Sequence, residues 1–78
     1  MIEYVIEINW DNEAAVWYAV NDDIPIVLES GSFDALVERV KIAVPEILEL
    51  NGKDADCYLH FIANRKEEVA LWLSMKSV

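Results

Sequence analysis

Cysteine, histidine, glycine and basic side chains are all scarce in this sequence, and each shortage excludes something. Cys57 is the single cysteine, so no internal disulfide can form; a reducing compartment and a small buried hydrophobe are the simple readings. His60 is the single histidine and has no cysteine or second histidine at metal-ligand spacing, so no zinc site is expected. Two glycines leave no material for a phosphate-cradling loop, and no P-loop, dinucleotide-binding or nucleophile-elbow pattern occurs. Six Lys and Arg stand against fifteen Asp and Glu, and a net charge of -9 repels a polyphosphate backbone, so no direct nucleic-acid binding is expected. No run approaches the roughly 18 to 20 apolar residues of a membrane helix, and no basic leader follows Met1. The expectation is a soluble, unexported, cytoplasmic protein with no membrane partner.

Residues that could carry chemistry do not assemble on paper. Cys57 and His60 sit three apart on a strand-like stretch, so thiol and imidazole point to opposite faces and cannot act as a dyad. The pairs Asp22-Asp23 and Glu67-Glu68 read as solvated turns, with no defined separation for acid/base work. Glu3 and Glu7 share a strand face but stand about 13 Å apart by the strand rise, too far for a carboxylate pair. Neither catalysis nor a cofactor is expected.

What the chain does have is apolar substance, 55% of 78 residues, in a length that suits one domain over residues 1–78. A core this small typically yields about 3–5 kcal/mol without a disulfide, metal or partner subunit. Self-association, as a homodimer or higher, or a permanent partner is therefore expected.

The apolar pattern predicts the order β-β-β-α-β-β. Ile2, Tyr4, Ile6, Ile8 and Trp10 alternate with Glu3, Glu7 and Asn9, a strand with one covered face. Asp11-Asn12-Glu13 turns the chain into a second strand from Ala15 to Val20, giving an antiparallel hairpin. Asn21-Asp22-Asp23 turns it again into a short third strand, Ile24 to Glu29, with Pro25 at its start or on an edge. Ser32 is placed to cap a helix beginning at about Phe33, with Asp34 favourable in the first turn. Phe33, Leu36, Val37, Val40, Val44, Ile47 and Leu48 form its apolar stripe, which continues across Pro45. That continuity favours a kinked helix over a second one starting at Pro45, and Asn51-Gly52 supplies the stop. Strand period returns through Cys57, Leu59, Phe61 and Ala63, and again in a last run from Val69 to Met75. The expected fold class is α+β, an antiparallel sheet with one face covered by a single long, proline-kinked helix.

One helix covers one face, so the other face must meet solvent or a partner. On this register it carries Glu3, Glu7, Trp17, His60 and Trp72, a mixture of charge and large aromatics typical of an interface. An acidic surface steers association with basic proteins, besides keeping an apolar small domain soluble.

The stretch from Ile8 to Ala19, continuing to Asp22-Asp23-Ile24-Pro25, resembles the opening of the HicB-type antitoxin domain. That family shows a strand, a D-x-E-A-G-like turn, a strand rich in Val, Trp or Tyr with Ala, an Asp-(Leu, Ile or Val)-Pro-Gly motif and a Ser- or Thr-preceded helix. Ser30 to Leu36, Val44 to Gly52 and Leu59 to Ala63 extend the likeness to small, stand-alone HicB-like bacterial proteins, over nearly the whole chain. The resemblance implies a partial ribonuclease-H-like fold with a β-β-β-α-β core that binds and blocks a small basic HicA-type toxin, an mRNA-cleaving protein. Two departures limit it: Ile26 stands where the pattern has Gly, and the DNA-binding segment of full-length HicB antitoxins is not expected within these 78 residues. Autoregulatory DNA binding does not carry over, nor does nuclease activity, since no clustered acidic site is visible. The competing expectation is a stand-alone homo-oligomer that has lost the toxin.

Overall fold

The computed structural model describes residues 1–69. Over that span the chain forms β1 (Ile2–Asp11), β2 (Val16–Val20), β3 (Leu28–Ser30), α1 (Phe33–Leu50) and β4 (Cys57–Asn64). The last run of strand period, Val69 to Met75, lies outside the described residues apart from Val69 itself. No described helix is long and apolar enough to cross a membrane.

The strand order is β3-β2-β1-β4. β1 pairs antiparallel with β2 and β2 with β3, but β4 lies parallel to β1. The sheet is therefore mixed, a correction to the wholly antiparallel expectation. The reason is directional: two reversals return β3 to the direction of β1, and α1 carries the chain back across the sheet before β4 sets out. Parallel neighbours need such a crossover, and an 18-residue helix supplies it.

The core lies between α1 and one sheet face. Tyr4, Ile6 and Ile8 of β1 and Ala19 of β2 are buried against Leu36, Val40, Val44 and Leu48, which recur every fourth residue along α1. Ile24 and Ile26 complete this core without belonging to a strand. The third strand is thus three residues long where the pattern predicts six, and the turn chemistry explains it. The Asn21 carboxamide oxygen accepts from the amides of Asp23 (2.7 Å) and Ile24 (2.8 Å), while its Nδ2 donates to the Val5 carbonyl (2.6 Å). Ile26 N–H then donates to the Ile24 carbonyl (2.8 Å), closing a three-residue turn around Pro25. Pairing with β2 resumes only at Leu28.

Ala15, expected to open the second strand, precedes it instead. Asp11 Oδ1 accepts from the amides of Glu13 (3.0 Å) and Ala14 (3.2 Å), and Ala15 leaves the turn at φ 55°, in the left-handed region that favours glycine. Helix α1 starts as the pattern predicts: Ser32 Oγ accepts from Ala35 N–H (3.2 Å), with Asp34 in the first turn. It runs through Pro45 as one element, so no second helix begins there. At its end Gly52 N–H donates to the Glu49 carbonyl (3.0 Å) and Lys53 N–H to that of Leu48 (2.9 Å), the Schellman arrangement, with Gly52 at φ 68°.

Ala15 and Gly52 therefore hold the same backbone conformation with opposite side-chain consequences. Ala15→Gly is expected to raise the unfolding free energy by roughly 0.5–1 kcal/mol and Gly52→Ala to lower it by a similar amount. Urea denaturation of both variants checks this; shifts of the same sign would mean that strain at these residues does not govern their stability.

Candidate functional site

The pairing register decides which side chains the helix leaves uncovered. In β1 these are Glu3, Val5, Glu7 and Asn9, the residues between the buried ones. The parallel register sets Tyr58, His60, Ile62 and Asn64 of β4 beside them, and the antiparallel registers add Val20 and Tyr18 of β2 and Glu29 of β3. Val5 (39% exposed), Tyr18 (38%), Tyr58 (60%) and Ile62 (37%) give this face an apolar, aromatic stretch in contact with solvent.

Polar contacts on the face are few. Glu3 Oε2 lies 3.9 Å from His60 Nδ1, both well exposed, a contact worth little in water. Asn64 Nδ2 donates to Asn9 Oδ1 (3.0 Å), tying β4 to β1. Glu3, Glu7 and Glu29 bring three carboxylates, and no Lys or Arg stands on these strands' open side. Among the described residues the basic side chains are Arg39 and Lys41 on α1, Lys53 after it, and Arg65 and Lys66 after β4. Beside Glu3, Val5 and Glu7 the surface dips into an open depression bordered also by Val20, Asp22 and Asp23, which extends the acidic area.

Of the residues named from sequence, Glu3, Glu7 and His60 come together on this face. Trp17 does not. It pairs with Trp10 across β1 and β2, their rings 5.2 Å apart edge to face, and meets Phe33 at the start of α1 at 5.2 Å. Trp17 therefore lies on the helix-covered side, and its neighbour Tyr18 occupies the open one. The connection over residues 12–15 places Trp10 opposite Trp17, and a shift of one residue turns every side chain to the other face. Trp72 lies outside the described residues. Val5, Tyr18, Glu29, Tyr58 and Ile62 were missed as site residues; Tyr58 and Ile62 share the parity of His60 and were within reach of the alternation.

Cys57 is half-buried on the face opposite His60, and burial, then Asp56 and Asp54, pushes its thiol above the usual cysteine value, away from thiolate reactivity. Among the described residues no three His, Cys, Asp or Glu side chains gather where they could hold a metal ion.

These observations define a small α+β domain, a four-stranded mixed sheet with one face under a helix and an acidic, aromatic face left open. The chain belongs to the family described as "Domain of unknown function (DUF1902)", whose model matches residues 3–73. It is similar to the crystal structure of the hypothetical protein TTHA1013 from the extremely thermophilic bacterium Thermus thermophilus. That match has 31% sequence identity and a TM-score of 0.72, and covers 86% of this chain and 99% of that one. No curated protein matches the chain.

The two faces are expected to respond differently to truncation. Trp17→Ala should cost about 2 kcal/mol or more through lost packing against Trp10 and Phe33, whereas Tyr58→Ala should stay within about 0.5 kcal/mol. Denaturant midpoints give both values, and a larger loss for Tyr58 would place the packed face on the wrong side of the sheet.

Proposed function

We propose that the protein is a non-catalytic protein-binding module of the HicB antitoxin kind, which uses its open sheet face to neutralise a small, basic, mRNA-cleaving toxin of the HicA type. The observation that carries this reading is the composition of that face: Glu3, Glu7 and Glu29 with no Lys or Arg, around the solvent-exposed Val5, Tyr18, Tyr58 and Ile62. Carboxylates attract and orient a basic partner, and the aromatic and aliphatic groups supply the area that holds it. The described order β-β-β-α-β agrees with the partial ribonuclease-H-like core that the resemblance implies. Ile26, where that pattern has Gly, is buried here beside Ile24, so this chain builds its third-strand turn in its own way. A role in the cytoplasm, where the toxin would meet its RNA, follows from the reading. The competing reading, a homo-oligomer without a toxin, uses the same exposed aromatic groups and closes the face with a second copy.

The test is binding to, and inhibition of, any small basic HicA-type protein encoded beside this gene; the absence of such a neighbour counts against the reading. Glu3→Lys and Glu7→Lys should each weaken the complex about tenfold, close to 1.4 kcal/mol, and added salt should weaken it further. Glu46→Lys, the same change of charge on the exposed side of α1, should leave affinity nearly unchanged. A neighbour that neither binds nor is inhibited overturns the reading, as does an equal loss from all three substitutions.

A further inference from the structure

The open sheet face, the binding surface proposed above, has an internal layout that selects the shape of what it binds. The pairing registers set its side chains in rows across the strands. Glu3 stands beside Tyr58, Val5 beside His60, Glu7 between Ile62 and Val20, and Asn9 between Asn64 and Tyr18, with Glu29 beyond. Diagonally across β4, β1 and β2, Tyr58, Val5, Val20 and Tyr18 follow one another with no charge between them. Tyr58, Val5 and Tyr18 are exposed and Val20 is half-buried. Same-face residues of a strand are about 6.6 Å apart and strands about 4.8 Å, so this apolar band is about 20 Å long and one side chain wide.

Carboxylates flank the band on both sides. Towards β2 stands Glu3, with Asp22 across the depression beside it. Towards β4 stands Glu7, together with Ile62 and with His60, whose Nδ1 is 3.9 Å from Glu3 Oε2. Along β1 the two glutamates are about 13 Å apart.

A second sheet is a poor cover for such a strip, because a flat face broad enough to pack on it would bury Glu3 and Glu7 away from water. A helix suits it. Its apolar stripe is narrow, its Lys and Arg stand at the margins of the stripe, and its width of about 10 Å is close to the separation of the two glutamates. At about 1.5 Å per residue, the band takes a helix of about 14 residues. The opposite face is already covered in this manner by α1, so a helix here would complete a three-layer arrangement.

We infer that the open face receives an amphipathic helix of about four turns from its partner, lying obliquely across β4, β1 and β2 with its apolar stripe on the band and its Lys or Arg margins against Glu3 and Glu7.

Two synthetic peptides of about 16 residues, equal in Leu and Lys content, test this against the isotopically labelled full chain. One carries Leu at helical spacing, and the other alternates Leu and Lys at the strand period. The helical pattern is expected to bind at least about tenfold more tightly, to shift the amide signals of Val5, Tyr18, Val20 and Tyr58, and to gain helical circular dichroism on binding. Glu3→Lys, Glu7→Lys and Tyr58→Ala should each weaken it several-fold, and Glu46→Lys on α1 should not. Equal or tighter binding of the alternating peptide at the same signals would overturn the helix and leave the open face as the binding surface. Binding of neither peptide would overturn the helix too, and shifts confined to α1 would overturn the open face with it.

Discussion

The contact on which everything else depends is the line Leu36, Val40, Val44, Leu48 laid against Tyr4, Ile6 and Ile8. Those four helix residues are separated by four positions each, so they form one ridge, and β1 presents its alternate side chains to receive it. Both partners are needed: without the sheet an 18-residue helix containing Pro45 is marginal in water, and without the helix the sheet has no dry face. A single helix about 10 Å across cannot cover four strands spaced about 4.8 Å apart, nor can it cover both sides of them. The open acidic face and the half-covered β4 are two results of that one shortage.

The shortage also organises the charge. On the helix side Arg39 donates to the Glu29 carbonyl of β3 (2.8 Å), Lys41 pairs with Glu38 (3.1 Å), and Arg65 lies over Trp10 and Trp17. The strands' open side is left with carboxylates, tyrosines, aliphatic groups, His60, Asn9 and Asn64. A net charge of -9 is therefore unevenly spread, and its unrelieved part coincides with the exposed apolar area. That coincidence is what the proposed binding role rests on, because a merely solvated face has no need of Val5, Tyr58 and Ile62 in contact with water.

Much of this was legible from local chemistry. The alternation in Ile2 to Trp10, the four-residue ridge of α1, the Ser32 cap and the Gly52 stop each depend on neighbours within a few positions, and the structure follows them. The differences arise where a long-range partner decides. Asn21 reaches back to the Val5 carbonyl and, with the turn at Pro25, takes Ile24 to Val27 out of the ladder, although their composition reads as strand. β4 pairs in parallel because of the direction in which α1 delivers it, which no property of Cys57 to Asn64 reveals. Trp17 lies on the covered face because the connection over residues 12–15 pairs it with Trp10, a register that its β-branched and aromatic composition does not reveal. Tyr18 on the open face is the direct consequence.

The central claim is that the working surface is the sheet face that α1 leaves open. Cross-saturation NMR from a small basic HicA-type protein to the labelled chain reads this most directly, because both sides of the domain carry aliphatic reporters in contact with solvent. Transfer to Val5, Val20 and Ile62, with none to Ile42 and Leu50 on the exposed side of α1, is the predicted result. Transfer confined to Ile42 and Leu50 would contradict the account.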